Sequence, residues 1–204
     1  MKLYCSPRSP FVRKVRVAIH ELGLARTVEL VPTVVRMDAP HQVLLAVNPL
    51  GKIPTLITDD GEAIYDSYVI IDYLDRRHGT RLIPAGGEDR DRALIIHALA
   101  HGLMEVTVLW RNERDKPEAQ QTAGWLDNFR HKTCAALARM EADAGRLGQE
   151  QFGIGEIATA VVLSYLDFRF ADLEWRHIAP RLARWHAGAE MRPSMQATQI
   201  AVSA

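Results

Sequence analysis

The fold class of this chain follows most directly from one segment, Asn48-Pro49-Leu50-Gly51-Lys52-Ile53-Pro54-Thr55-Leu56. Pro54 stands immediately before a strand pattern. A proline inside a central strand would remove a ladder donor, so Pro54 is predicted to lie where the strand begins. Two short strands follow, Thr55 to Thr58 and Glu62 to Tyr65. The Asp60-Gly61 pair between them is typical of a β-hairpin, so the segment opens a pair of adjacent strands.

The residues before this hairpin predict a strand, a helix and a second strand. Lys2-Leu3-Tyr4-Cys5 is a short strand pattern. The helix that follows begins at Ser9-Pro10, a hydroxyl residue before a proline at the first helical position, and Gly23 ends it. A second strand is predicted over Val28 to Val31, and residues 32–49 are expected to be irregular or weakly helical.

The rest of the chain is predicted to be helical. A helix opens at Asp66-Ser67 and ends near Gly79, which completes an α/β domain in the order βαβ, then ββα. After Pro84 to Gly87 no convincing strand pattern remains. Apolar residues at helical spacing predict helices over 94–110, 126–147 with Pro117 as its start, 157–168, and 180–190 as the last helix. The predicted domains are 1–78, α/β, and 90–204, all-helical, with a linker at 79–89.

Composition and charge argue against several classes of partner. The 204 residues carry 25 Lys plus Arg and 25 Asp plus Glu. This balance argues against nucleic acid or an anionic membrane as the main partner, because both require a basic excess.

The 2 cysteines, Cys5 and Cys134, cannot form a disulfide framework or a CxxC metal site, which favours a reducing, cytoplasmic compartment. The 8 histidines lack metal-ligand spacing, so no metal is predicted. The most apolar run, Ile157 to Phe168, is too short to span a bilayer.

Five segments, in order along the chain, carry a resemblance to a known family. They are Ser9-Pro10-Phe11, the segment 48–56, Tyr65-Asp66-Ser67, Ile70-Ile71-Asp72-Tyr73-Leu74 and Arg192-Pro193-Ser194. Together they resemble the cytosolic glutathione transferase superfamily. The N-terminal motif is similar to those of the tau and omega classes, and the organisation of the whole chain is similar to that of small bacterial members. The resemblance implies a thioredoxin-like N-terminal domain that binds glutathione, an all-α C-terminal domain, and glutathione as co-substrate.

The resemblance implies a set of glutathione-binding residues in the first domain. Pro54 would be cis, and the backbone of Ile53 would then pair with the cysteinyl backbone of glutathione as a strand does. Ser67 would hold the γ-glutamyl carboxylate at a helix N-terminus, and Asp66 would pair with the γ-glutamyl ammonium. Lys52 would lie near the glycyl carboxylate. The alternatives are a trans proline, a plain helix cap at Asp66 and Ser67, and a solvated charge at Lys52.

Ser9 is the candidate catalytic residue. The resemblance places the glutathione sulfur at the start of the first helix, where a helix N-terminus lowers a thiol pKa and a hydroxyl donor stabilises the thiolate. Alternatively, Ser9 only caps the helix. Ser6 and Cys5 are rivals, although Cys5 is expected to be a core thiol and Tyr4 is expected in the core as well.

The helical domain is expected to carry the pocket for the second substrate. Its predicted walls are Met104, Val108, Trp110 and Arg111 on the first long helix, with Phe11 opposite. Aromatic and methionine side chains at such spacing also occur as ordinary core residues, so plain packing is the alternative.

The function implied is conjugation of the glutathione thiolate to small electrophiles, a detoxification reaction, by a homodimer. Glutathione-dependent peroxidase or reductase chemistry is a second possibility. A third is a non-catalytic glutathione-binding regulatory protein on the same fold. Disulfide exchange of the omega kind requires a cysteine at the position of Ser9, and isomerase activity of the zeta kind is expected to show a Ser-Ser-Cys-like run there; this sequence has neither.

Overall fold

A computed structural model describes residues 1–79, 82–148 and 152–200. The chain forms two compact units. The first contains Met1–Ile83 and the described residues from Pro193 onward, and the second is Pro84–Arg192.

The first unit is built on a four-stranded mixed sheet. Its strands are β1 (Lys2–Cys5), β2 (Glu29–Pro32), β3 (Thr55–Ile57) and β4 (Ala63–Ile64), and its helices are α1 (Pro10–Glu21), α2 (Gln42–Leu45) and α3 (Ser67–His78). The strand order is β2-β1-β3-β4. β1 runs parallel to β2 and antiparallel to β3, and β3 is antiparallel to β4. α1 packs against α3, so the unit has the predicted thioredoxin-like architecture.

The second unit consists of helices. They are α4 (Gly87–Arg114), α5 (Ala123–Asp143), α6 (Ile154–Arg169), α7 (Trp175–Ile178) and α8 (Pro180–Glu190). α6 is the central helix, because nearly every residue of Ile154–Leu166 is buried, as its apolar sequence on all faces predicted. α4 packs against both α5 and α6. By length and composition alone α4 would also pass as a membrane span, a test that core helices of soluble proteins pass too.

Three predicted boundaries need correction. Pro117 does not start the second long helix; it precedes a 3-10 turn at Glu118–Gln120, and α5 begins after Thr122. The cause is Glu113, whose carboxylate accepts a hydrogen bond from the Thr122 N–H at 2.8 Å. α4 begins at Gly87, inside the predicted linker. α8 is not the last helix, since a short helix, α9 (Pro193–Gln196), follows it.

The residues from Pro193 onward belong to the first unit, whereas the sequence placed them in the helical domain. α9 packs on α1. The Arg13 guanidinium donates to the Met195 carbonyl at 3.4 Å, and the Ser194 hydroxyl donates to the Glu21 carboxylate at 2.5 Å. This packing explains why Arg13, on the side of α1 that the amphipathic pattern leaves polar, is only 3% exposed.

Asp75, on α3, holds the chain segment that follows this helix. Its buried carboxylate accepts hydrogen bonds from the backbone N–H groups of Leu82 at 2.8 Å and Ile83 at 3.1 Å. Asp75→Ala should lower the free energy of unfolding by about 3 kcal/mol, because it leaves two buried amides unsatisfied. Asp72→Ala is the matched control on the same helix, since it removes only the surface pair with Arg76 and should cost less than about 1 kcal/mol. Urea unfolding measures both, and equal losses would contradict the assignment.

Candidate active site

The sheet register brings three chain segments to one edge of the first unit. Tyr4 pairs with Thr55 and Leu56 pairs with Ile64, so the end of β1, the start of β3 and the end of β4 share that edge. α1 follows β1 after a short loop, and α3 begins shortly after β4. The N-termini of both helices therefore lie at this edge, where unpaired N–H groups and the helix dipoles favour an anion.

The segment before β3 is a turn held by Asn48. The Ile53–Pro54 peptide bond is cis, which confirms the prediction. Asn48 is fully buried, and its amide donates to the Lys52 carbonyl at 3.1 Å and to the Thr55 hydroxyl at 2.9 Å. Within the part of the chain that the structure describes, the N–H and C=O of Ile53 have no hydrogen-bond partner. The turn thus leaves one peptide edge available to pair with an extended ligand.

Asn48 shapes the candidate site, and the sequence did not single it out. It is the first residue of the segment Asn48 to Leu56, and it falls in the stretch 32–49 that was expected to be irregular or weakly helical. An amide can donate and accept at once, and Asn48 does both, since its Oδ1 also accepts from the Leu50 N–H at 3.0 Å. A buried amide that satisfies three chain groups fixes the backbone ahead of Pro54.

Asp66 and Ser67 occupy the start of α3 and differ in their bonding. Asp66 is the N-cap, and its Oδ1 accepts from the N–H groups of Tyr68 at 2.9 Å and Val69 at 3.4 Å. Ser67 is 1% exposed, and its hydroxyl has no hydrogen-bond partner among the described residues. The helix cap therefore belongs to Asp66, while Ser67 supplies a hydroxyl that lacks a partner, a cost of about 1–3 kcal/mol that a bound acceptor would relieve.

Lys52 lies exposed directly before Ile53. Its backbone carbonyl accepts hydrogen bonds from both the Asn48 amide and the Thr55 hydroxyl. The backbone of Lys52 is thus fixed at the same edge of the sheet as the two helix N-termini.

Ser9 is the N-cap of α1 and is half-buried. Its Oγ accepts a hydrogen bond from the Val12 N–H at 3.3 Å, so Ser9 caps α1. A hydroxyl that accepts in this way still has its own hydrogen to donate. No acceptor for that hydrogen is found among the described residues, so Ser9 can cap α1 and donate to a ligand at once.

The alternative candidates near Ser9 differ from it in burial and in hydrogen bonding. Cys5 is buried, as predicted, and burial raises the pKa of its thiol, with Arg16 and a hydrogen bond from Val31 opposing part of the rise. A raised pKa is the opposite of what a reactive thiol requires. Ser6 is half-buried and its carbonyl accepts from the Ser9 N–H at 3.2 Å. Tyr4 is half-buried, and therefore less enclosed than predicted.

The residues predicted to line the second-substrate pocket lie in both units. Met104, Val108 and Arg111 follow the spacing i, i+4, i+7 and share a face of α4. Trp110 is buried and stacks on Phe170 with ring centroids 4.4 Å apart. Met104 is buried as well, and Val108 and Arg111 are half-buried. Phe11 is half-buried on α1, in the first unit. Their assignment to a pocket stays a prediction.

The fold and the candidate site define a thioredoxin-like unit, with a cis-proline turn and two capped helix N-termini at one sheet edge, followed by an all-helical unit. The family model of the glutathione S-transferase N-terminal domain matches residues 3–82, and that of the C-terminal domain matches residues 123–188. The chain belongs to the glutathione transferase superfamily.

Individual relatives agree with this assignment. The uncharacterized GST-like protein YibF of Escherichia coli K12 is 31% identical, with 98% of each chain covered. A glutathione transferase family member from Pseudomonas fluorescens Pf-5, solved with bound glutathione, is 45% identical at a TM-score of 0.95, covering 98% of this chain and 99% of that one. A Pseudomonas fluorescens Pf-5 family member solved with S-(propanoic acid)-glutathione is 43% identical at a TM-score of 0.90, covering 99% and 100%.

Proposed function

We propose that the protein is a glutathione transferase that conjugates the glutathione thiolate to small electrophiles. The proposal rests on the features that lie together at one edge of the sheet. There, the cis Ile53–Pro54 turn, the start of α1 and the start of α3 meet, and the Ser67 hydroxyl is buried without a partner. Glutathione is a tripeptide that offers a peptide backbone for the turn, a thiol for the start of α1, and a carboxylate for the start of α3 and the Ser67 hydroxyl.

Each binding residue has a part of glutathione that it can hold. The peptide edge at Ile53 pairs with the cysteinyl backbone, as an added strand would. The Ser67 hydroxyl and N–H bind the γ-glutamyl carboxylate, and Asp66 attracts the γ-glutamyl ammonium. Lys52 attracts the glycyl carboxylate. These assignments together orient the cysteinyl sulfur toward the start of α1.

Ser9 then acts on the sulfur. The hydroxyl donates a hydrogen bond to the thiolate, and the N-terminus of α1 favours the negative charge. The thiolate sulfur attacks the electrophilic carbon and forms a carbon–sulfur bond. The leaving group departs with its electron pair, or an activated double bond takes up a proton.

The relatives support this proposal at two points. Glutathione is bound in the first Pseudomonas fluorescens structure, and the second holds an adduct in which a carboxylic acid is attached to glutathione. Such an adduct has the chemical form of a conjugation product. We propose a role in detoxification in the cytoplasm, where glutathione keeps cysteines such as Cys5 and Cys134 reduced.

Turnover of a panel of electrophiles tests the proposal. The panel contains an aryl halide, an unsaturated ketone, an organic hydroperoxide and a mixed disulfide of glutathione. We expect conjugation of the first two at rates well above the uncatalysed reaction. Turnover of only the hydroperoxide or the disulfide would point to peroxidase or reductase chemistry. Calorimetric binding of glutathione without turnover of any compound would point to a binding protein.

The protein is expected to be a homodimer. Large apolar side chains are exposed on the helices expected to meet in the dimer: Val69 on α3 is 44% exposed, and Ile95 and Leu109 on α4 are 64% and 51% exposed. Sedimentation velocity should show a dimer at micromolar concentration. Ile95→Glu should shift it toward monomer, whereas Met37→Glu, at an exposed loop position, should not. A wild-type protein that is monomeric throughout would contradict the proposal.

A further inference from the structure

Two polar side chains, Asn48 and Thr55, form a hydrogen-bonded cluster in the turn that precedes β3. Both are fully buried. The Asn48 Nδ2 group donates one hydrogen to the Thr55 hydroxyl at 2.9 Å and the other to the Lys52 carbonyl at 3.1 Å. The Thr55 hydroxyl donates its own hydrogen to the same carbonyl at 2.9 Å. The Lys52 oxygen therefore accepts hydrogen bonds from two side chains.

The cluster uses every hydrogen that its two side chains can donate. A side-chain amide has two N–H hydrogens, a hydroxyl has one, and a carbonyl oxygen has two lone pairs, so both lone pairs of the Lys52 oxygen are filled. The Asn48 Oδ1 in turn accepts from the Leu50 N–H at 3.0 Å. A buried polar network whose donors are all satisfied is rigid. The Lys52 carbonyl is therefore held in one orientation.

The orientation of the Lys52 carbonyl fixes the direction of the next N–H group along the chain. The Lys52–Ile53 peptide bond is trans, and in a planar trans peptide the C=O and N–H bonds point in opposite directions. The Ile53 N–H therefore points away from the side chains of the cluster, and it has no hydrogen-bond partner among the described residues. Because Pro54 has no N–H, the Ile53 N–H is the donor that this turn offers to an extended ligand.

We propose that Asn48 and Thr55 are positioning residues for glutathione, because by holding the Lys52 carbonyl they direct the Ile53 N–H at the cysteinyl carbonyl of the tripeptide. The inference rests on the proposed function and adds to it two residues that act through Lys52. Without the cluster, the peptide between Lys52 and Ile53 would have to be ordered when the ligand binds, which costs affinity. The cluster thus contributes to glutathione binding by preorganising one backbone donor.

An ester analogue of glutathione tests this inference. In γ-glutamylcysteinyl glycolate an ester replaces the Cys–Gly amide, so the cysteinyl carbonyl keeps its place but accepts a hydrogen bond more weakly. The glycyl N–H is lost as well, but equally for every variant. The ratio of the Kd of the ester to the Kd of glutathione, measured by calorimetry, therefore reports the hydrogen bond from the Ile53 N–H. A general loss of stability weakens both ligands alike and leaves this ratio unchanged.

Wild-type protein should bind the ester about twofold to tenfold more weakly than glutathione, the range for one neutral hydrogen bond. Thr55→Val removes the hydroxyl and nearly keeps the shape, so it should weaken glutathione binding and lower the ratio. Thr55→Ser keeps the hydroxyl and should keep the ratio of the wild type. Asn48→Asp keeps the acceptor for the Leu50 N–H but removes both side-chain donors, so it should lower the ratio furthest.

Thr58→Val is the matched control. Thr58 directly follows β3, at the opposite end of the strand from Thr55, and is 5% exposed. Its hydroxyl accepts from the Glu62 N–H at 2.9 Å and donates to the Asp60 carboxylate. The substitution thus removes a buried, hydrogen-bonded hydroxyl of the same kind from the hairpin turn. It should lower the free energy of unfolding and leave the affinity for glutathione and the ratio at their wild-type values.

Amide hydrogen exchange in the wild-type protein gives a readout that needs no variant to fold. The Ile53 N–H should exchange freely in the free protein and become protected when glutathione binds, with less protection from the ester. The inference would be overturned by an Ile53 N–H that is already protected in the free protein or by equal wild-type affinities for the two ligands. A ratio that Thr55→Val and Asn48→Asp leave unchanged, or that Thr58→Val lowers equally, would overturn it too. Failure to bind glutathione at all would instead overturn the proposed function.

Discussion

Replacing Ser67 by Ala should weaken glutathione binding by about tenfold to a hundredfold. The hydroxyl would donate to a charged carboxylate, a bond worth about 1.5–3 kcal/mol, and each 1.4 kcal/mol changes affinity about tenfold. Without ligand the hydroxyl is buried and unpartnered among the described residues, so its removal should not lower the free energy of unfolding. Calorimetry of glutathione binding together with urea unfolding measures both effects.

Thr159→Val is the matched control for this experiment. Thr159 is 1% exposed, and its hydroxyl is also buried without a partner among the described residues, but it lies on α6, in the second unit. Its replacement should leave glutathione affinity unchanged. Unchanged affinity in Ser67→Ala, or an equal loss in both variants, would refute the assignment of Ser67 to the γ-glutamyl carboxylate.

Replacing Ser9 by Ala should raise the pKa of the bound glutathione thiol and lower the conjugation rate at neutral pH, with glutathione affinity nearly unchanged. A thiolate accepts a hydrogen bond well and a neutral thiol accepts one poorly, so Ser9 stabilises the ionised form selectively. Each pKa unit corresponds to about 1.4 kcal/mol. The rate loss should shrink as pH rises above the raised pKa, because the thiol then ionises without help. Rate–pH profiles of the two enzymes measure this.

Two further substitutions separate the roles of Ser9. Ser9→Ala also removes the cap of α1, which costs about 1 kcal/mol, whereas glycine caps nearly as well as serine. Ser9→Gly should therefore keep the stability and still lose the thiol activation. Cys5→Ala should change neither the thiol pKa nor the rate. If Ser6→Ala or Cys5→Ala abolishes activation while Ser9→Ala does not, the wrong residue has been named.

Local signals predicted much of the fold. The strand Lys2–Cys5, the start of α1 after Ser9 and the helix Pro180–Glu190 were predicted to the residue, because each has its own pattern or its own proline. The predicted strand Val28 to Val31 is displaced by one residue from Glu29–Pro32. Contacts between distant segments were not predictable: no local pattern shows that residues after Pro193 pack on α1.

The candidate site, too, was predicted only in part. The cis bond at Pro54 was implied by the family resemblance, and the helix start at Asp66 follows from a short motif. The bonding of Asn48 could not be predicted, because its partners become neighbours only when the turn has formed.

The central claim is that the start of α1 binds glutathione as an activated thiolate. A pH titration of thiolate absorbance in the wild-type complex tests it most directly, with free glutathione titrated alongside. A free thiol has a pKa of roughly 8.5, and the bound thiol should titrate clearly below free glutathione, so that the thiolate predominates at neutral pH. A bound thiol that titrates together with free glutathione, or above it, would contradict the claim.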